Sequence, residues 1–320
     1  MCYITIKKKA MNRLSITNTV IMIKPLSFCY NLDTASDNSF QKNRKNLSPL
    51  VIAQKAQDEF DNFVRLLKNN DISVIDFIDD LDNNTPDSLY PNNWFSTHAN
   101  GTIYLYPMFA PNRRKERRKD IIDFLKKNFY VKKVIDETKT HESNNQFLEG
   151  TGSMVLDREN QLAYACLSKR TNKDLFQDWC AKMNFSGYTF LAKDTNVIYH
   201  TNVVMSICQH IVFICLDAVV EERDKKHLLF LFTQSGKKVI NISISQMNSF
   251  LGNVLELKNQ NGESCLIMST SAYNSLNSSQ VEIIDKYSTI LHSPLDTIEY
   301  FGGGSARCMI AEVFLQPIQF

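Results

Sequence analysis

Cys308 has the setting that most suggests chemistry. It stands in YFGGGSARCMIAEVFL (300–315), where a Gly302-Gly303-Gly304-Ser305 run meets an apolar run close to the end of the chain. A catalytic thiolate needs partial exposure, a lowered pKa and a partner that moves protons. The glycine run lets backbone approach a ligand closely, and Arg307 is a fixed positive neighbour that favours thiolate. The competing reading is a buried strand cysteine after a flexible turn. Seven other cysteines, at positions 2, 29, 166, 180, 208, 215 and 265, lack this combination of neighbours.

The proton carrier should be one of six histidines. His200, in VIYHTNVVMSI, sits at the mouth of a strand beside Tyr199, Thr201 and Asn202, a placement that suits a site residue; a satisfied core or surface histidine is the competing reading. Glu149, in FLEGTGSMVLDR, follows two apolar residues and precedes Gly150 and Gly152 inside what otherwise reads as a strand. A lone carboxylate there is costly unless paired, and a charged histidine would pair it. An edge-strand glutamate beside a bulge is the alternative. The stretch NNTPDSLYPNNWFSTH (83–98) gathers prolines, an acid, amides and a tryptophan, either as a loop of oriented hydrogen bonders or as a turn-rich connection.

These residues need a scaffold, and the composition allows one. Of 320 residues, 43% are hydrophobic and 22% charged, a globular rather than a disordered balance. A net charge of +2 demands neither nucleic acid nor an acidic membrane as partner. The scattered cysteines form no CxxC pair, which argues against a zinc site or a disulfide scaffold and for reduced thiols in the cytoplasm. No segment has the ~20 apolar residues of a membrane span. The basic start lacks the apolar region and cleavage site of a signal peptide. Residues 1–16 read as a peripheral extension, and 17–320 as a single domain.

Strands are expected at 19–28, 72–78, 94–98, 102–108 and 131–136, and helices at 48–70 and 110–129. Further on, strands are expected at 146–158, 162–168, 187–193, 201–208, 210–216, 238–243, 254–259 and 264–270. Helices are expected at 172–184, 222–232, 245–252 and 272–288, and closing strands at 297–301 and 307–315. Strand, strand, helix, strand thus recurs about five times, every 50 to 60 residues or so. With no Pro/Gly/Ser-rich linker, one α/β domain of repeated units is the better reading and two domains the weaker.

Taken together, PDSLYPNNW, LYPMFAPNRRKERR, LEGTGSMVLDR, YHTNV and SARCM identify a resemblance. The chain is similar, from about residue 21 to its end, to the guanidino-group-modifying superfamily, which includes arginine deiminases, dimethylarginine dimethylaminohydrolases and amidinotransferases. It looks most like the citrulline utilization hydrolase branch. The resemblance implies a pentein fold, a five-bladed pseudo-symmetric α/β propeller of ββαβ modules with the site in a central channel. It implies Cys308 as nucleophile, His200 as acid/base, and Glu149 as the acid that orients histidine and substrate nitrogen. It further implies Asp87 as a substrate contact, and Arg113, with Arg114 as the alternative, as the grip on a substrate α-carboxylate.

Two departures bear on the substrate. Relatives that bind guanidinium carry an aspartate at the position of Asn93, and arginine deiminases carry another at that of Asn202. A carboxylate opposite a guanidinium makes a strong charge-assisted pair, whereas an amide both donates and accepts and so suits a neutral ureido group. The expectation is therefore a cysteine hydrolase that converts citrulline to ornithine, ammonia and CO2 and needs no metal or organic cofactor. An arginine deiminase or dihydrolase, an amidinotransferase, and an inactive amino-acid-binding propeller stay as alternatives. The expected partner is a small amino acid, and a homodimer is left open.

Overall fold

The computed structural model describes residues 15–43 and 47–318. Fifteen strands among them form five three-stranded sheets. Four sheets arise from consecutive stretches of chain. The first of these comprises β3 (Phe95–His98), β4 (Thr102–Leu105), helix α2 (Lys119–Asn128) and β5 (Lys133–Asp136). The next comprises β6 (Val155–Asp157), β7 (Leu162–Cys166), α3 (Lys173–Met183) and β8 (Ser186–Phe190). It is followed by β9 (Met205–Ile207), β10 (Ile211–Ile214), α4 (Glu222–Gln234) and β11 (Lys238–Asn241). The last is β12 (Leu255–Lys258), β13 (Ser264–Ser269), α5 (Ser278–Ile284) and β14 (Thr289–Ser293). In each, an antiparallel hairpin is followed by a parallel pairing across the helix.

The remaining sheet closes the ring. β1 (Thr19–Lys24), α1 (Pro49–Asn69) and β2 (Ser73–Ile78) lack an antiparallel partner until β15 (Ala311–Glu312) returns from the other end of the chain and pairs with β1. The five ββαβ modules expected from the repeat are therefore present. The fifth begins the closure by which the last strand completes the first sheet.

The middle strands explain themselves. A strand covered on both faces must be apolar where it is covered, and the buried VIMI of β1 (TVIMIK) and all of β10 (IVFI) are. Val20 and Met22 pack with Phe60 and Phe63 of α1 and Leu257 and Ile267 of the fifth module. Ile21 and Ile23 point the other way, onto Phe95, Ile103 and Leu125 of the second. Helix α1 begins where its sequence says. Ser48 accepts from the Val51 amide, Pro49 opens the first turn, and Ile52, Ala56, Phe60, Phe63 and Leu67 form the buried stripe.

Several expected elements differ. The expected strand at 297–301 is a helix, Asp296–Gly302, whose first amides, of Thr297 and Ile298, are capped by the Glu59 carboxylate of α1. The expected helix over 272–288 is two, Thr270–Ser275 and α5, because Asn277 and Gln280 form a capping box that starts a new helix. The strand β14 that follows was not anticipated. The basic stretch 110–129 is a 3-10 turn, Asn112–Glu116, followed by α2. Residues 1–14 of the expected extension lie outside the described residues; Ile16, placed in it, is buried.

Candidate active site

Each inner strand is entered from a short turn, and these turns converge. The 3-10 turn Pro91–Asn93 precedes β3, the helical turn Gly150–Ser153 precedes β6, and Thr201–Val204 precedes β9. The turn at 249–253 precedes β12, and the 3-10 turn Ala306–Met309 precedes β15. They carry or adjoin Asn93, Glu149, His200 with Asn202, Asn253 and Cys308. The strands expected at 146–158, 201–208 and 307–315 are thus half turn and half strand, and the turn half holds the site residue.

Glu149 and His200 meet directly. Glu149 Oε2 lies 2.8 Å from His200 Nε2, and its other oxygen accepts from the Phe109 amide at 2.9 Å. Both residues are almost fully buried. Burial opposes the Glu149 charge, but Arg170 at 3.5 Å, the His200 hydrogen bond and Arg113 at 3.8 Å together outweigh it and hold the carboxyl down at about 2. Burial pulls the His200 imidazole below its ordinary value, against the pull of Glu149. Gly152 lies against this pair, and a Cβ there would stand 2.7 Å from His200 Nδ1 and collide with the Asn93 amide. By contrast His98, another of the six histidines, is a buried core histidine bonded to Ser96 Oγ.

Cys308 is buried beside the histidine turn. Its sulfur receives the Asn202 side-chain amide at 3.4 Å and that of Asn253 at 3.2 Å. Burial pushes the thiol up from its ordinary value, more than its hydrogen bonds and Arg307 pull it down. The expected effect of Arg307 on the thiol is therefore outweighed: its guanidinium is engaged by Glu312 at 2.7 Å and the Ile310 carbonyl at 2.9 Å. The glycine run has a packing reason. A Cβ on Gly302 would run into the Tyr90 hydroxyl, and one on Gly304 would stand 2.9 Å from the Tyr90 ring.

Arg113 ties the remaining residues together. It donates to Asn93 Oδ1 at 3.0 Å and lies 3.7 Å from Asp87 Oδ2. One bidentate edge is filled by Glu116, with both bonds at 2.9 Å. A guanidinium offers more than one bidentate edge, and in this arrangement Glu116 occupies the one formed by Nε and Nη2. Arg114 lies to the outside, bonded to the Met108 and Phe109 carbonyls and 3.6 Å from Glu142. Burial raises the Glu116 carboxyl to about 8, against its pairing with Arg113, and burial likewise raises Asp87.

Two residues of this network carried no signal in the motif reading. Arg170 is fully buried, holds Asp37 through two 2.7 Å bonds, and approaches Glu149. Asn253 touches the Cys308 sulfur. The repeat itself would have found Asn253, since it occupies in the fifth module the place that Asn93 holds in the second. Asp37 belongs to a segment, residues 29–43, that covers the site. Asn31 donates to Asp87 at 2.7 Å, Asn38 to the Gly302 carbonyl at 3.1 Å, and Gln41 to the Phe301 carbonyl at 3.1 Å. The seven described cysteines are free, and no helix among the described residues is long and apolar enough to cross a membrane.

Comparison with known proteins places this architecture. The family model for N,N dimethylarginine dimethylhydrolase, eukaryotic, matches residues 24–315. No curated protein matches the chain. Among solved structures, the substrate-bound N-terminal domain of ArgZ, an arginine dihydrolase from cyanobacteria, superposes with a TM-score of 0.70 at 15% identity, over 92% of this chain and 97% of that one. The L-arginine complex of AgrE gives 0.72 at 16% identity, over 94% of this chain and 40% of that one. A dimethylarginine dimethylaminohydrolase adduct gives 0.62 at 15% identity, over 93% and 99%. At these identities the structures speak for the pentein fold, and the family model speaks for descent. The chain belongs to the N,N-dimethylarginine dimethylhydrolase family of the guanidino-group-modifying pentein superfamily.

Proposed function

We propose that the chain is a cysteine-dependent hydrolase that opens carbon–nitrogen bonds of a ureido or guanidino amino acid, and that citrulline is its substrate. The hydrolytic, guanidino-modifying character of its family supports the first part. The orientation of Asn93 supports the second. Its Oδ1 is committed to Arg113, which fixes the amide so that its NH2 turns toward Gly152 and His200. That NH2 is buried without a hydrogen-bond partner among the described residues, and it can only donate. A ureido oxygen accepts such a bond, whereas a guanidinium has no lone pair to offer. The unpartnered Oδ1 atoms of Asp87 and Asn202 are acceptors suited to ureido N–H groups.

In this reading the Cys308 thiol gives its proton to neutral His200 and the sulfur attacks the ureido carbon. Glu149 offsets the imidazolium charge and fixes the ring. The C–N bond to the ornithine side chain breaks as His200 returns the proton to the departing nitrogen. An S-carbamoyl group is left on Cys308. Water, deprotonated by His200, attacks the thiocarbamate carbon, the C–S bond breaks to return the Cys308 thiolate, and the carbamate released falls apart to ammonia and CO2. Arg113 and Arg170 act from behind, keeping Glu149 ionised. The catalytic unit in this reading is a single domain over residues 17–320, and the reaction takes place in the cytoplasm.

A second reading has its own support. Arg113 and Arg170 face four carboxyls, those of Asp37, Asp87, Glu116 and Glu149, so even with Glu116 protonated the acids outnumber the cations, and a cationic guanidinium would balance them. The family's dimethylarginine, the arginine of the dihydrolase ArgZ and the L-arginine bound by AgrE are compounds of that kind. Incubating the purified protein separately with citrulline, arginine and N,N-dimethylarginine separates the two. The proposal expects ornithine from citrulline. Turnover of the guanidino compounds with none of citrulline would contradict it.

A further inference from the structure

Asn253 lies at the centre of the site and has no part in the mechanism above. Its side chain is fully buried and makes three bonds that fix which end is which. Oδ1 accepts from the Cys308 amide at 3.3 Å, and Nδ2 donates to the Asn202 carbonyl at 2.8 Å and to the Cys308 sulfur at 3.2 Å. Flipping the amide would set oxygen against the Asn202 carbonyl and an NH2 against the Cys308 N–H, so the group facing the sulfur is a donor. We propose that Asn253 is a catalytic residue, whose amide N–H carries the negative charge of the Cys308 sulfur while the thiolate forms and attacks. This rests on the reading of Cys308 as nucleophile.

Three observations favour this over a purely structural tie. First, the sulfur sits where burial opposes charge, and Arg307, the cation next to it in sequence, is engaged by Glu312. Second, beside the Ser305 backbone hydrogen bond, oriented side-chain amides stabilise that charge and need no reorganisation when it develops. Asn202 supplies one at 3.4 Å, and Asn253 supplies the shorter. Third, the same side chain joins the nucleophile turn to the turn that begins after His200. It therefore holds the sulfur in register with the group that takes its proton. The thiol proton passes to His200, no electron changes hands, and the dipole of Asn253 meets the charge left behind.

The test reads the thiol directly. The full-length protein is alkylated with iodoacetamide across a pH series, and modification of the Cys308 peptide is followed by mass spectrometry. Asn253→Asp keeps the shape and puts a carboxylate at the sulfur. Its alkylation midpoint should rise by about one pH unit or more, with a roughly tenfold slower reaction near neutral pH. Asn253→Ser removes the donor and should raise the midpoint by less. Thermal melts establish that each variant is folded, and if the aspartate variant is not, the serine variant carries the test. The added carboxylate of the aspartate variant would raise the midpoint under either role, so the serine variant decides: a purely structural role leaves its midpoint in place, and an unshifted midpoint in the folded serine variant overturns the proposal. A Cys308→Ala protein that keeps full turnover overturns the nucleophile and this inference with it. An unshifted midpoint in an enzyme that needs Cys308 overturns the role of Asn253 alone.

Discussion

Glu149→Gln tests how the buried charges are balanced. Glu149 has no exposed surface, faces Arg170 and Arg113, and accepts from His200. Its carboxyl sits at about 2 rather than the ordinary 4.5. A carboxyl held that far down contributes about 3 kcal/mol to native stability at neutral pH. Because the folded pKa is the lower one, this contribution is complete above the unfolded value and is lost as pH falls toward 2. Near pH 3 only about 1 kcal/mol of it survives. Glutamine keeps the shape and loses the charge. Urea unfolding of both proteins should therefore show a stability gap of about 3 kcal/mol at neutral pH that narrows by roughly two thirds near pH 3. Turnover should fall by roughly a hundredfold or more, since His200 loses the partner for its charged form. A gap of the same size at both pH values would mean that Glu149 stabilises by packing, and the electrostatic account of the site would fail.

Three further outcomes follow from contacts around the site. Gly302→Ala puts a methyl against the Tyr90 hydroxyl and should cost about 1–3 kcal/mol of stability. Adding Tyr90→Phe should recover much of that in thermal melts, and strictly additive losses would contradict the contact. Asn93→Asp should move the ratio of kcat/KM for arginine over citrulline upward by about tenfold or more, since a carboxylate pairs with a guanidinium and sets a negative charge against the ureido oxygen; steady-state kinetics with both compounds would reveal an unchanged ratio. Asp37→Asn weakens two charge-assisted bonds to Arg170 and should destabilise the fold by about 2 kcal/mol. Limited proteolysis should then cut faster within 29–43, and an unchanged cleavage rate would show that this contact does not hold the segment down.

The three residues proposed as nucleophile, acid/base and orienting acid stand out in the sequence because each breaks a local rule. Glu149 is a charge in an apolar run, His200 a polar residue at a strand mouth, and Cys308 a thiol beside a glycine run that exists to pass Tyr90. The modules were legible from their period. What was not legible has physical reasons. The turns at 150–153, 201–204 and 306–309 are a single turn each, shorter than any window in which helical periodicity shows. The helix at 296–302 is set by a carboxylate from α1, far away in sequence, so its β-branched and aromatic residues misled. The break before α5 was written in the Asn277–Gln280 spacing and was overlooked, which hid β14. Arg170 and Asn253 look like ordinary turn residues until the ring closes around them.

The account turns on a covalent bond to one sulfur. Mixing the protein with citrulline, quenching in acid within the first turnover and measuring the intact mass tests it most directly. The account predicts a fraction of chains heavier by one carbamoyl group, with the added mass on the Cys308 peptide and absent from Cys308→Ala. Ornithine formed with no adduct on Cys308 at any quench time, or by the Cys308→Ala protein at an undiminished rate, would contradict it.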